Sequence, residues 1–293
     1  MTLYNYSQYK DRFNNFADQY LKAQNTDLRL QQAMQYALLN GGKRIRPLLV
    51  YAANKATGGN IANADFPALA IEMVHSFSLV HDDLPALDND ELRRGVATCH
   101  VIYGEASAIL TGDALLALAF EALTECTNTL EPHLVIDMIK ELSQASGPSG
   151  IIAGQMKDIE GENKKLTRTQ LQNIHALKTG TLIRASIRLG ALSSGRYDKQ
   201  HEEALGVYAN SIGLAYQIKD DLLDIQGDPN IMGKNKGSDL ILNKTTYPAM
   251  FGIEKSEKTL LSLIDKSKDA ITCFGSESLM LEQIASMIID REA

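Results

Sequence analysis

Apolar residues recur every three or four positions along almost the whole of this 293-residue chain, and no stretch alternates as a half-buried strand would. Ala70, Val74, Phe77 and Val80 make one such stripe within residues 62–84. Similar stripes run through 113–123, 133–145, 167–192 and 201–225. A chain patterned in this way buries its apolar surface only by packing helix on helix. Punctuation falls between the stripes, at Gly41-Gly42, Gly58-Gly59, Gly147-Pro148 and Gly227-Asp228-Pro229. No spacer rich in Pro, Gly and Ser divides the chain, and no short tandem repeat runs through it. The expectation is one all-α domain over 1–293, with ten or more helices, several long enough to wall a central cavity.

Charge narrows the partners. The formal balance is −7, which argues against nucleic acid, whose binding rests on a basic surface. An anionic ligand would therefore need a locally basic or metal-bridged site. The three cysteines, Cys99, Cys126 and Cys273, have neither metal-ligand spacing nor the even count of a disulfide framework. Residues 1–15 are polar and rich in tyrosine, unlike a signal peptide. No apolar run is expected to reach the roughly 20 residues of a membrane span. The expected location is the cytoplasm.

Two aspartate clusters interrupt the apolar pattern. The first reads Asp82-Asp83-Leu84-Pro85-Ala86-Leu87-Asp88, the second Asp220-Asp221-Leu222-Leu223-Asp224. Pro85 disfavours helix for the residue before it, so the first helix should end near Leu84 with Asp82 and Asp83 in its last turn. Asp220 and Asp224 are four apart and share one helix face. That helix should end before Gly227. Carboxylates at a helix C-terminus face the negative end of the macrodipole, an unfavourable placement by about 0.3–1 kcal/mol. Oxygen ligands without His or Cys select a hard cation. Mg²⁺ suits best, because it takes one or two carboxylates and fills its shell with water and phosphate oxygens. Either cluster alone could equally be a solvated helix end; both together, on apolar helices, favour the metal.

Basic motifs accompany the acidic ones. In Gly41-Gly42-Lys43-Arg44-Ile45-Arg46-Pro47, glycines stop one helix and Pro47 stands in the first turn of the next. Three cations should then gather at a helix N-terminus, where free N–H groups favour phosphate. Arg93-Arg94-Gly95 offers a second fork. Lys178-Thr179-Gly180 lies in an apolar helical segment, where an unpaired lysine is costly. Gly233-Lys234-Asn235-Lys236-Gly237, followed by Lys244, reads as a basic loop able to close over a ligand. Six carboxylates beside a diphosphate are compatible only if Mg²⁺ ions bridge them and Lys and Arg neutralise the rest. Such a clamp also stabilises a departing diphosphate.

Together these motifs resemble the trans-isoprenyl diphosphate synthases, most closely the bacterial farnesyl diphosphate synthases. The match runs from Gly41-Gly42-Lys43 to Tyr247-Pro248. It takes in His81-Asp82-Asp83, Thr98-Cys99-His100, Gly112-Asp113, Gly154-Gln155-Met156-Lys157-Asp158, Lys178-Thr179-Gly180 and Gln217-Ile218-Lys219-Asp220-Asp221. The resemblance implies the isoprenoid synthase fold, a homodimer, and a deep pocket between the two aspartate helices. It implies that Asp82, Asp88 and Asp220, with Asp83, Asp221 and Asp224, hold several Mg²⁺ ions against an allylic diphosphate, dimethylallyl or geranyl. Arg93, Lys178, Lys234 and Lys244 would touch that diphosphate. Lys43, Arg46, His75 and Arg94 would bind isopentenyl diphosphate without metal. Thr179 and Gln217 would turn their oxygens towards the allylic cation, and Gln155 and Asp158 would support the first cluster. The implied product is farnesyl diphosphate, with Phe77 and Ser78, a turn deeper than Asp82, setting the pocket floor.

Three details depart from the family pattern: Leu177 before Lys178, Val96-Ala97 after the paired arginines, and no closing basic residue after Arg291-Glu292-Ala293. None falls on an expected metal ligand. Rival readings are a geranylgeranyl or geranyl diphosphate synthase, a terpene cyclase, and a non-catalytic partner subunit. A cyclase would replace Asp220–Asp224 with an Asn/Asp-x-x-Ser/Thr-x-x-x-Glu motif, which is missing. A silent subunit would have lost one of the clusters or the Lys43/Arg46 site, and both are intact here.

Overall fold

The computed structural model describes residues 6–161, 164, 166–196, 198–226 and 246–291. Along them run α1 (Tyr6–Ala23), α2 (Leu28–Leu39), α3 (Ile45–Ala56), α4 (Asp65–Asp82), α5 (Cys99–Tyr103), α6 (Glu105–Thr124), α7 (Pro132–Ser146) and α8 (Ile151–Gly161). Then come α9 (Arg168–His175), α10 (Thr181–Ser193), α11 (Lys199–Gln226), α12 (Tyr247–Phe251), α13 (Ile253–Ala270) and α14 (Leu279–Ile289). A two-residue antiparallel hairpin, β1 (Leu92–Arg93) with β2 (Val96–Ala97), forms the one sheet among the described residues. The all-α expectation holds.

The hairpin was not anticipated, because two residues are too few to show alternation. Its signal was local. Arg94 and Gly95 have φ of 55° and 77°, the pair of positive values a tight two-residue hairpin requires.

α4 lies at the centre. Leu69, Ile71, Met73 and Val74 are fully buried, facing different directions around the helix, so it has no solvent face over these turns. It packs against α3, α6, α10 and α2. α3 and α10 meet closely: a Cβ on Gly190 would stand 2.2 Å from the Val50 carbonyl oxygen, so only glycine admits that approach. α11 lies along α13. This framework brings the C-terminal end of α4 and the C-terminal half of α11 to the edges of the site.

One charged pair sits inside the core. Arg44 is 4% exposed and its guanidinium bonds Glu72 of α4 at 3.0 Å, with Asn14 Oδ1 at 3.1 Å. This corrects the expectation that Lys43, Arg44 and Arg46 all gather at an anion site. Arg44 caps α3 in the left-handed conformation (φ 55°), and its side chain turns inward while Lys43 stays exposed and Arg46 half-buried.

A second correction concerns α6. With the turn after it, Glu105–Asn128 is long and apolar enough by length and composition to cross a bilayer. Asp113, in the middle, reads as an interruption and hid this in the sequence. In its most apolar window 44% is buried within the chain. One side packs on α4 and α2, while Ile109 and Leu110 stand 45% and 60% exposed.

Candidate active site

The first aspartate cluster forms where α4 ends. Asp82 is the last helical residue and Asp83 its cap, within two residues of the expected stop. The loop then folds back, the Asp88 N–H donating to the Asp82 carbonyl at 2.9 Å. Asp83 is 3% exposed and already satisfied. The hairpin returns Arg93, whose Nε donates to Asp83 Oδ1 (2.7 Å) and Oδ2 (2.8 Å), with Nη2 also on Oδ1. Arg93 lies 3.6 Å from Asp90 as well. Asp82 is half-buried and Asp88 exposed. Burial, reinforced by Asp88 and Asp83, pushes the Asp82 carboxyl up to about 6 against the pull of Lys178 and Arg93.

Lys178 comes from a break in the helix pattern. The expected single helix over 167–192 is two, α9 and α10, joined by one π turn at Ala176–Gly180. Such turns widen a helix and are frequent at functional sites. Gly154 of α8 makes room for it: a Cβ there would lie 2.5 Å from the Lys178 nitrogen. One turn along α8, Asp158 accepts from Lys178 Nζ at 2.7 Å. Asp82 and Asp88 act on Lys178 too, so it stands between α8 and the first cluster. Asp158 thus meets Lys178, which itself lies near that cluster. Gln155 makes no such bond; its Oε1 is buried without a hydrogen-bond partner among the described residues.

The basic side assembles from three elements. Arg94 Nη1 donates to the Gly41 carbonyl at 3.2 Å, and its guanidinium lies where a side chain on Gly42 would be, 2.4 Å from an added Cβ. The second glycine is therefore the cradle for Arg94. Burial holds the His75 imidazole well below its usual range, and Arg46, Arg94, Arg93 and Arg44 reinforce this. His75 is neutral among cations of which Arg44 is paired with buried Glu72 and Arg93 with buried Asp83. Arg46 Nε is buried with no partner among the described residues. An orphaned guanidinium N–H in a surplus of positive charge fits an anionic oxygen.

The second cluster lies on α11. Asp220 bonds Arg291 at 2.7 Å, and that guanidinium stacks on the Tyr216 ring at 4.1 Å. Desolvation pushes the Asp220 carboxyl up against Arg291, Lys43 and Arg46, which places Lys43 and Arg46 in its neighbourhood. Asp221 is 4% exposed and Asp224 7%. Thr179 Oγ1 donates to Gln217 Oε1 at 3.0 Å, and Gln217 Nε2 donates to Asp221 Oδ1 at 2.9 Å. The π turn and α11 are thus joined by side chains at the positions expected beside an allylic cation. Sequence reasoning missed Arg291 and Tyr216; only the three-dimensional meeting of the last described residues with α11 reveals them.

No group of three His, Cys, Asp or Glu side chains among the described residues forms a ready cage for a metal. The donor set fits Mg²⁺ nonetheless, since that ion keeps most of its shell for water and phosphate. Asp82, raised by burial and then by the like charges of Asp88 and Asp83, is a carboxylate that a cation would relieve. Phe77 is 7% exposed, its ring edge-on to His81 at 5.2 Å, and Ser78 Oγ donates to the His75 carbonyl at 2.8 Å. His81 in turn fills the space left by Gly112, where a Cβ would be 2.2 Å from Nε2. Lys234 and Lys244 lie outside the described residues.

Comparison with known proteins gives the family and the fold. The polyprenyl synthetase family model matches residues 27–274. Farnesyl diphosphate synthase of Escherichia coli (strain K12) is 47% identical over 264 residues, covering 89% of this chain and 88% of that one. Geranylgeranyl diphosphate synthase of Cyanophora paradoxa is 42% identical over 263 residues, covering 89% and 87%. A solved geranyltransferase from Helicobacter pylori, in complex with magnesium and isoprenyl diphosphate, superposes with a TM-score of 0.83 at 32% identity, covering 99% of this chain and 98% of that one. The fold is that of the isoprenoid synthases. The chain belongs to the polyprenyl synthetase family.

Proposed function

We propose, from membership of the polyprenyl synthetase family, that this prenyltransferase joins isopentenyl diphosphate head-to-tail to dimethylallyl and then geranyl diphosphate, giving farnesyl diphosphate and diphosphate. The observation that carries the reading is the pairing of two aspartate clusters, on α4 and α11, with Lys178, Thr179 and Gln217 set between them. Asp82, Asp88 and Asp220 would hold Mg²⁺, with Asp83, Asp221 and Asp224 beside them. Bound there with the allylic diphosphate, the metal would draw charge from the leaving oxygens.

The chain's own residues carry the rest. Lys178 faces the same diphosphate from the π turn, held by Asp158. As the carbon–oxygen bond breaks, the oxygens of Thr179 and Gln217 stabilise the allylic cation. Arg46 and Arg94, with Lys43 and neutral His75, orient isopentenyl diphosphate so that its double bond attacks that carbon. Loss of a proton, taken by the released diphosphate, completes the product.

Phe77 is the proposed floor at fifteen carbons. The Cyanophora relative favours a twenty-carbon product as the second reading. Phe77→Ala should lengthen the product; an unchanged distribution contradicts this role. The same reading takes 1–293 as one domain and the chain as a homodimer. The exposed Val101, Ile102, Ile109 and Leu110 around the start of α6 support a self-association face. Free thiols at Cys99, Cys126 and Cys273 suit the reducing cytoplasm. The test is a Mg²⁺-dependent condensation assay with labelled isopentenyl diphosphate and either primer. A dominant fifteen-carbon product supports the proposal, a twenty-carbon product moves it to the second reading, and no condensation overturns it.

A further inference from the structure

We propose that Asp221 acts as a positioning residue for Gln217, fixing which end of its carboxamide meets Thr179, and does not act as a metal ligand. The family resemblance groups Asp221 with the metal-binding aspartates, but its surroundings differ from those of Asp82 and Asp88. It is almost fully buried, and each carboxylate oxygen accepts from a protein donor. Oδ1 takes Gln217 Nε2 at 2.9 Å, and Oδ2 takes the backbone N–H of Tyr247 at 2.7 Å. The Tyr247 N–H opens α12 and has no partner within that helix, so Asp221 satisfies it.

The consequence lies one bond further on. An ionised carboxylate only accepts hydrogen bonds, so Gln217 must present its NH₂ to Asp221. Its carbonyl oxygen then points the other way, where Thr179 Oγ1 meets it at 3.0 Å. Reversing the amide would present N–H groups at the position where a cation is to develop. Gln217 and Asp221 are four apart on α11, so this control is built into a single helix face. The inference rests on the proposed condensation for the meaning of that oxygen, and on chemistry alone for its orientation.

Asp221→Asn is the discriminating change. Asn can keep its oxygen for Tyr247 only by turning its own NH₂ to Gln217, which flips the Gln217 amide. With Mg²⁺ saturating, kcat should fall about 100-fold, the size of effect seen when one preorganised electrostatic group is lost. Mn²⁺ binding in the presence of inorganic diphosphate, followed by electron paramagnetic resonance, should stay as in the unmodified protein. Asp220→Asn should weaken it. Adding Gln217→Glu to Asp221→Asn restores an acceptor on both sides, and kcat should recover by about tenfold or more. Loss of Mn²⁺ affinity in Asp221→Asn comparable to that in Asp220→Asn, or no recovery in the double variant, overturns the proposal. If Asp221→Asn does not fold, Gln217→Glu alone serves. It sets two carboxylates together, so kcat should fall at least about tenfold with Mn²⁺ binding retained; wild-type kcat would contradict the inference. Should the unmodified protein condense nothing, the proposed function fails, while the Mn²⁺ comparison still judges Asp221.

Discussion

The two aspartate clusters look alike in sequence and are held in opposite ways. At the end of α4, Asp83 is clamped by Arg93, ten positions away, so the cluster is organised within its own loop and hairpin. On α11, Asp220 bonds Arg291 and Asp221 bonds Tyr247, both brought from later in the chain. The first cluster leaves Asp88 exposed and Asp82 half-open; in the second, Asp221 and Asp224 are buried. The α4 cluster is therefore a local device, largely complete once its loop has folded. The α11 cluster is a junction of the whole fold, and its geometry depends on the C-terminal region docking correctly.

The strongest test of this contrast is to remove one ligand from each side. Asp82→Asn and Asp220→Asn should each reduce kcat by roughly 10³-fold if both hold the same diphosphate, since each removes an element of transition-state charge stabilisation. Near-normal turnover in either, measured with saturating substrates, would leave a one-sided site.

A smaller effect should separate the guards. Arg93→Leu strands the nearly buried Asp83 and should destabilise the fold by about 3 kcal/mol, as broken buried pairs do. Arg291→Leu releases the more open Asp220 and should lose about 1 kcal/mol or less. Urea unfolding of both variants measures the difference, and equal losses would erase the distinction between the clusters.

The gentlest probe is pH. Protons and Mg²⁺ compete for Asp82, whose carboxyl stands at about 6 before metal binds. Apparent Mg²⁺ affinity at this cluster should hold above pH 7 and fall by about tenfold per unit below 6. Because the folded value is raised, this group favours the metal-free fold in acid and withdraws that support as pH climbs from the ordinary carboxylate range through 6. Asp82→Asn should flatten both trends, and an unaltered profile would assign them to another group.

Most of the framework was legible because helical periodicity and Pro85 act over short distances. They place the end of α4 within two residues and carry α11 through Gln226. The placing of Asp82 and Asp83 at the end of α4, and of Asp220 and Asp224 on α11, was legible for the same reason. What escaped depends on meetings in space. Nothing in a run of three cations says that Arg44 turns inward to Glu72 while Arg46 does not. The pairing of Gly42 with Arg94, of Gly154 with Lys178, and of Asp220 with Arg291 spans separate elements. The π turn at 176–180 keeps a helical pattern in sequence, so its widening is visible only in the backbone.

The central claim is that both clusters grip one metal-bound diphosphate. Isothermal titration calorimetry with Mg²⁺ and inorganic diphosphate tests it without relying on turnover. The account predicts saturable binding to the unmodified protein that is weakened in both Asp82→Asn and Asp220→Asn. Binding of undiminished affinity in either variant would contradict it.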